Sequence, residues 1–300
     1  LHLPSHDHRK GLLLAAIGGM TLTVDIPLIR LARGDTWSIL MMRTGTTLAA
    51  TLVIWAVWRL LGTNTPRLMP GRAGLIAAIF YGLGSIAFIT AVFNTSTADL
   101  VFILAFNTAF AAILSWIFLK ERPPLPTLAA IAVMILGVLI IVGDSVGQGA
   151  LFGNLAAMAS ALSIAAAITV SRSTGEDMGF TSLIGVLFPF VVAIVMTGTN
   201  GYSVDAPGWI VFNGAVVMPI SFFCLAAAPR YLSGGEVAMF YLLETVLAPI
   251  WVWAIFAEVP SWNSLIGGAI LIAALVAHSL WQLLASKRPQ QDEAVHHPAE

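Results

Sequence analysis

A carboxylate in the middle of an apolar, helix-length run is a chemical anomaly. Glu244 occupies that place in AMFYLLETVLAPIWVWAIFAEVP, residues 238–260, where the only other charge is Glu258 near the end. About ten residues into a helix, at 1.5 Å per residue, it lies ~15 Å deep, half of a ~30 Å hydrocarbon core. A charge there costs at least about 3 kcal/mol unless it is protonated, paired or wetted by a cavity. Glu244 is therefore either a polar or proton site in a central cavity or a neutral acid hydrogen-bonded between helices.

Other polar groups share that depth. Asp25 precedes Pro27 late in the first apolar run, roughly 20 Å in. It either grips a substrate ammonium or pairs with Arg30 or Arg43 near the outer mouth. Asn107, Tyr81, Asn213 and His278 are the remaining candidates. Tyr81 stands beside Gly82 and Gly84, where a backbone could approach a ligand closely, whereas His278 reads as a helix–helix hydrogen bond. Phe102, Phe106, Phe110, Phe240 and Tyr241 could line an apolar cavity or simply pack. Pro189 and Pro219 interrupt two further runs as kinks. The stripes Ala157, Ala161, Ala165 and Ala269, Ala273, Ala277 read as close helix packing.

The run around Glu244 has a mate. A shift of 137 residues lays it on VFILAFNTAFAAILSWIFLKERP, residues 101–123. Thr245 then falls on Thr108, Ala248 on Ala111, Ile250 on Ile113 and Trp253 on Trp116. Glu258 falls on Glu121, Pro260 on Pro123 and Glu244 on Asn107. Glu121 and Glu258 close their helices and read as architectural.

These residues need a membrane to position them. Hydrophobic residues are 58% of the 300 and charged residues 10%, against roughly 25% charged in a soluble domain. The expected fold is an all-α polytopic membrane protein. A net charge of −1 gives nucleic acid no basic stripe to bind. The single cysteine, Cys224, excludes an intrachain disulfide and a CxxC metal site. Nothing in the sequence matches HExxH, GxSxG or a P-loop, so an enzyme, a cofactor and a metal are not expected.

Ten spans are expected at 11–31, 37–61, 72–93, 98–119, 124–143, 150–171, 180–198, 208–228, 235–256 and 262–284. Residues 1–10 form an N-terminal segment, and 286–300 a polar, disordered tail. The basic start before 11–31 reads as the flank of a first span rather than a cleaved signal peptide, although Leu1 in place of Met leaves earlier processing open. With the N-terminus cytoplasmic, eleven Lys and Arg (9, 10, 59, 67, 72, 120, 122, 172, 230, 287 and 288) fall on that side. Only Arg30, Arg33 and Arg43 fall opposite, which places both termini in the cytoplasm.

A 137-residue offset covers five spans. An odd number of crossings inverts the second copy, so 11–143 and 144–285 form two inverted repeats. Secondary transporters are built this way, with the site near the midplane between repeats.

Ten helices in two inverted halves resemble the drug/metabolite transporter superfamily, in its EamA-type exporter branch. The local match is a Glu closing each fourth helix, followed by small residues in the fifth. It reads LKERPPLPTLAAIAVMILGVLIIVG in one half and FAEVPSWNSLIGGAILIAAL in the other. Gly137 and Gly267 each keep one family glycine, while Ala130 and Ala274 replace the others. Within the superfamily the chain is similar to YddG-type bacterial amino-acid exporters. That resemblance implies a cavity among helices one, three, four, six, eight and nine. Asp25, Tyr81, Asn107 and Glu244 would then lie on cavity helices and His278 off them.

The expected function is export of amino acids, aromatic and other neutral ones above all, or similar metabolites across the bacterial inner membrane by alternating access. Glu244, Asn107, Asp25, Tyr81, Phe106 and Tyr241 are the expected substrate-binding residues. The expected partners are a small molecule and the lipid bilayer, with the chain a monomer or weak homodimer. The rivals are a proton-coupled drug or cation exporter and a non-transporting scaffold or receptor.

Overall fold

A computed structural model describes residues 5–61, 71–174, 180–228, 231–232 and 234–295. Arg67 and Arg230, both used to orient the chain, lie outside the described residues. Among the described residues, ten helical spans are long and apolar enough to cross a membrane. They are span 1, His8–Leu31; span 2, Thr36–Leu60; span 3, Gly71–Asn94; span 4, Thr97–Leu119; and span 5, Leu125–Gly143. The second half repeats them as span 6, Leu151–Thr174; span 7, Thr181–Asn200; span 8, Pro207–Leu225; span 9, Met239–Phe256; and span 10, Trp262–Ala285. The protein is a multi-pass membrane protein of two repeated five-span halves. Below, the near side is the one on which span 1 begins.

Expected and observed spans agree within a few residues, apart from helix lengths beyond them. The helix containing span 5 continues to Gln148. The helix containing span 10 continues to Val295, so part of the segment expected to be disordered is helical.

Three spans break where a proline forbids a hydrogen bond. Proline lacks an N–H, and its ring collides with the carbonyl four residues earlier. Span 1 accordingly splits into Ser5–Leu22 and Asp25–Leu31, with Thr23 four residues before Pro27. Span 7 splits at Gly185, four before Pro189. Span 8 widens into a π-helical stretch, Asn213–Val217, centred on Ala215, four before Pro219. Span 4 breaks without a proline, at Phe106, between Thr97–Ala105 and Asn107–Leu119. Pro249 does not break span 9, which runs inside one helix, Gly234–Phe256.

The halves pack as pseudo-symmetric mates. Span 3 lies on span 6 as span 8 lies on span 1, while span 2 pairs with span 7 and span 5 with span 10. Spans 5 and 10 meet at Gly137 and Gly267. A Cβ on Gly137 would stand 2.8 Å from the Gly267 carbonyl oxygen, and one on Gly267 2.6 Å from that of Gly137. The one glycine that each half keeps thus meets that of the other half in a single contact. Of the alanine stripes, Ala157, Ala161 and Ala165 are fully buried. Ala269, Ala273 and Ala277 instead face outward, because Gly267, Leu271 and Ala274 form the packed face of span 10.

The far side is clasped. Gly34 bridges Val204 in antiparallel fashion, and Asp35 N–H donates to the Ser203 carbonyl at 3.1 Å. Asp205 N–H donates to Arg33 at 2.8 Å and Ala206 N–H to Ala32 at 2.9 Å. This ladder joins the turn between spans 1 and 2 to the turn between spans 7 and 8, one from each half.

Candidate functional site

The break in span 1 presents Asp25 as the first residue of a new helical segment. Its side chain is buried within a three-residue network. Arg43 Nη2, from span 2, donates to Asp25 Oδ2 at 2.9 Å. Asn213 Nδ2, from the π stretch of span 8, donates to Asp25 Oδ1 at 2.7 Å, and Arg43 Nε donates to Asn213 Oδ1 at 3.2 Å. Met218 Sδ lies 2.9 Å from Arg43 Nη2, and the guanidinium stands 5.5 Å from the centre of the Phe88 ring. Of the two alternatives open for Asp25, the structure holds the pairing with Arg43.

Arg43 therefore does not sit at the outer surface, where the charge tally placed it. It is buried, seven residues inside span 2 and ~10 Å from its far end by helix rise. Its position inside an apolar run was the available signal, since a charge at that depth is costly unless it is functional or paired.

Glu244 lies on span 9, half-buried. It makes no hydrogen bond among the described residues, yet it interacts electrostatically with Asp25 and Arg43. Tyr241, one turn earlier on the same face, interacts with both Glu244 and Tyr81. Tyr81 itself stands beside the Ser171 side chain of span 6, whose hydroxyl donates to the Ala167 carbonyl at 2.9 Å. Two turns beyond Glu244, Trp251 Nε1 donates to Thr23 Oγ1 at 3.2 Å, at the break of span 1. Hydrogen bonds thus join Asp25, Arg43 and Asn213 of spans 1, 2 and 8, with Glu244 and Tyr241 of span 9 and Tyr81 of span 3 in electrostatic range around them. The sequence did not single out Ser171 or Trp251, and it offers Arg43 only as an alternative partner of Asp25 near the outer mouth.

Asn107 opens the lower segment of span 4. It is half-buried and has no side-chain hydrogen bond among the described residues. Span 9 packs on Thr97–Ala105 of span 4, and among the described residues hardly touches the segment that Asn107 begins. Asn107 and Glu244 lie ~15 and ~18 Å from the far ends of their spans. The two mates therefore stand at similar depth, where spans 4 and 9 part toward the near side. Phe106 belongs to the main apolar core and packs edge-on against Phe110, with ring centres 4.9 Å apart.

The glycines beside Tyr81 pack rather than open a ligand approach. Gly82 is pressed by Phe188 and Pro189 of span 7, and Gly84 O accepts from Ser160 Oγ of span 6 at 3.0 Å. His278 lies 2.8 Å from Thr127 Oγ1 across spans 10 and 5, the helix–helix role expected of it. An apolar groove of about 330 Å³, lined by Phe102, Pro249, Trp253 and Ile272 among others, includes neither Glu244 nor Asn107. Among the described residues no three His, Cys, Asp or Glu side chains converge to hold a metal ion.

Among the described residues, two arginine–glutamate pairs tie the halves at opposite ends. Lys120 and Ala257, 137 residues apart, both adopt left-handed backbone, with φ of 57° and 55°. Each turns the chain at its helix end, and Glu121 or Glu258 follows. Glu258 pairs with Arg30 of span 1 and accepts from Thr97 N–H at 2.7 Å. Arg30 Nη2 also donates to the Thr95 carbonyl at 3.2 Å. Glu121 pairs with Arg172 of span 6 at 2.8 Å, and Arg172 Nη1 donates to Ser115 Oγ at 2.9 Å. Spans 1 and 6 are mates, as are spans 4 and 9, so one arrangement occurs twice.

The EamA-like transporter family model matches residues 9–143 and 151–280, one copy per half. A solved structure, titled only as the crystal structure of a protein, matches with a TM-score of 0.63 at 14% identity. The match covers 91% of this chain and 97% of the other, and it speaks to the fold alone. No curated protein matches the sequence.

Proposed function

Because the chain belongs to the EamA-like transporter family, we propose that it exports amino acids, neutral and aromatic ones above all, or closely related metabolites. The reading places it among YddG-type exporters in a bacterial inner membrane. Both termini then lie in the cytoplasm, the near side is cytoplasmic, and the chain works as a monomer or weak homodimer. Residues 11–143 and 144–285 are the halves that rock about the central site.

One observation carries the proposal. Glu244 and Asn107 lack hydrogen bonds among the described residues, at the depth where spans 4 and 9 separate, while the far side is clasped by Gly34–Val204. An unpartnered acid and an unpartnered amide at mid-membrane fit a polar ligand better than they fit packing. Tyr241 and Tyr81 supply aromatic surface beside them, Asp25 holds the site's cation, and Phe106 backs the hinge at which span 4 breaks. Purified protein in liposomes should move labelled neutral amino acids down a gradient; a panel with no amino-acid flux would overturn the reading.

The lone Glu244 also favours a second reading, proton-driven export of organic cations. In that case Glu244→Gln abolishes pH-driven cation flux and leaves amino acids unmoved by either protein.

A further inference from the structure

We infer that Arg43 takes the carboxylate of a zwitterionic substrate while Glu244 takes its ammonium. The inference rests on the amino-acid reading above and adds the group that would select the acid end of the substrate.

The charge arrangement is the first argument. Asp25 and Arg43 form a close pair, and each neutralises the other. Glu244 then stands as a second carboxylate close to that pair, with no ion-pair partner of its own among the described residues. A free amine would satisfy Glu244 but leave the unpartnered nitrogen of the guanidinium unused. A zwitterion serves both, its ammonium meeting Glu244 and its carboxylate taking the remaining donor of Arg43, and it leaves the net charge of the three side chains unchanged.

The donor inventory is the second. Of the guanidinium nitrogens, Nε is taken by Asn213 and Nη2 by Asp25. Nη1 has no partner among the described residues. Arginine keeps its charge throughout, and its planar fork suits a carboxylate. Asp25, Asn213, Met218 and the Phe88 ring hold that fork in place from spans 1, 8 and 3. The free nitrogen is thereby oriented before any ligand arrives, which lowers the ordering cost of binding.

Depth is the third. Arg43 lies ~10 Å and Glu244 ~18 Å from the far ends of their spans by helix rise. One small zwitterion, with a hydrogen bond at each end, bridges a gap of that order. Its side chain would then lie toward Tyr241 and Tyr81, the ring-bearing residues grouped with Glu244.

The test uses full-length protein in liposomes and two probe pairs: labelled phenylalanine and phenylalanine amide, and labelled leucine and leucine amide. The amides keep the ammonium and lack the carboxylate. In Arg43→Gln the acid-to-amide flux ratio should fall about tenfold to a hundredfold, the range for one hydrogen bond to a charged group. Arg43→Lys, which keeps the charge, should restore part of it. An unchanged ratio in Arg43→Gln, or equal loss of acid and amide flux, would overturn the inference. If Arg43→Gln does not fold, thermal shifts of the unmodified protein decide: the acid should stabilise it more than the amide, and equal shifts overturn the inference. A wild-type protein that moves amides but no amino acid instead defeats the parent reading.

Discussion

Glu258 pairs with Arg30 across the two halves, just as Glu121 pairs with Arg172 at the opposite end of the molecule. In each case a left-handed residue, Ala257 or Lys120, turns the chain so that the glutamate faces a span of the other half. The pairs differ in surroundings. Arg30 and Glu258 are about one-fifth exposed, whereas Arg172 and Glu121 are about half exposed. The far-side pair is the better shielded, on the side that also carries the Gly34–Val204 clasp.

That difference predicts unequal costs. Glu121→Gln should lower stability by no more than about 1 kcal/mol, as for a solvent-screened pair. Glu258→Gln leaves Arg30 partly buried with weaker partners and should cost about 1–3 kcal/mol. Thermal unfolding in detergent measures both, and equal costs would contradict the assignment of a shielded far-side latch.

The buried network gives a sharper contrast. Asp25→Ala leaves Arg43 buried without its counter-ion and should destabilise by about 3–5 kcal/mol. Asp25→Ala combined with Arg43→Met removes both charges and should recover much of that loss. A double variant no more stable than Asp25→Ala would show that the ion pair is not what the site depends on.

The crossing of spans 5 and 10 is tested by volume. Gly267→Val puts side-chain carbons where the Gly137 carbonyl already stands, and overpacking of this kind costs about 1–3 kcal/mol. Gly143→Ala, whose Cβ meets nothing within 4 Å, serves as the control and should leave the melting temperature within a degree or so of wild type. Equal effects would mean that the glycine contact does not set the approach of the two spans.

Much of this architecture is legible in the sequence because a bilayer imposes it: runs of about 20 apolar residues must be helices, and the 137-residue offset repeats the Glu-x-Pro ending. Prolines 27, 189 and 219 mark their breaks because the missing N–H acts locally. The break at Phe106 has no such mark. The Asn213 partner of Arg43 is equally hidden, since spans 2 and 8 meet only through packing. The sequence offers the Asp25–Arg43 pair but sets it near the outer mouth, although the place of Arg43 inside an apolar run shows its depth. The outward face of Ala269, Ala273 and Ala277 shows the same limit, because a small-residue stripe does not say which face a neighbour covers.

Access to the site should be one-sided. In a Cys224→Ala background, Asn107→Cys should react with a membrane-impermeant thiol reagent from the near side, where spans 4 and 9 part. Reaction from the far side should be at least about tenfold slower, as the clasp of 32–38 with 203–206 shields it. Equal labelling in vesicles of both orientations would contradict that placement.

The central claim is that an amino acid binds at Glu244, and flux through liposomes holding wild-type protein or Glu244→Gln tests it most directly. Wild-type protein should accumulate labelled phenylalanine or leucine by counterflow, and Glu244→Gln should slow this at least about tenfold, the loss of one charge-assisted contact. Wild-type flux that Glu244→Gln leaves unchanged would contradict the account.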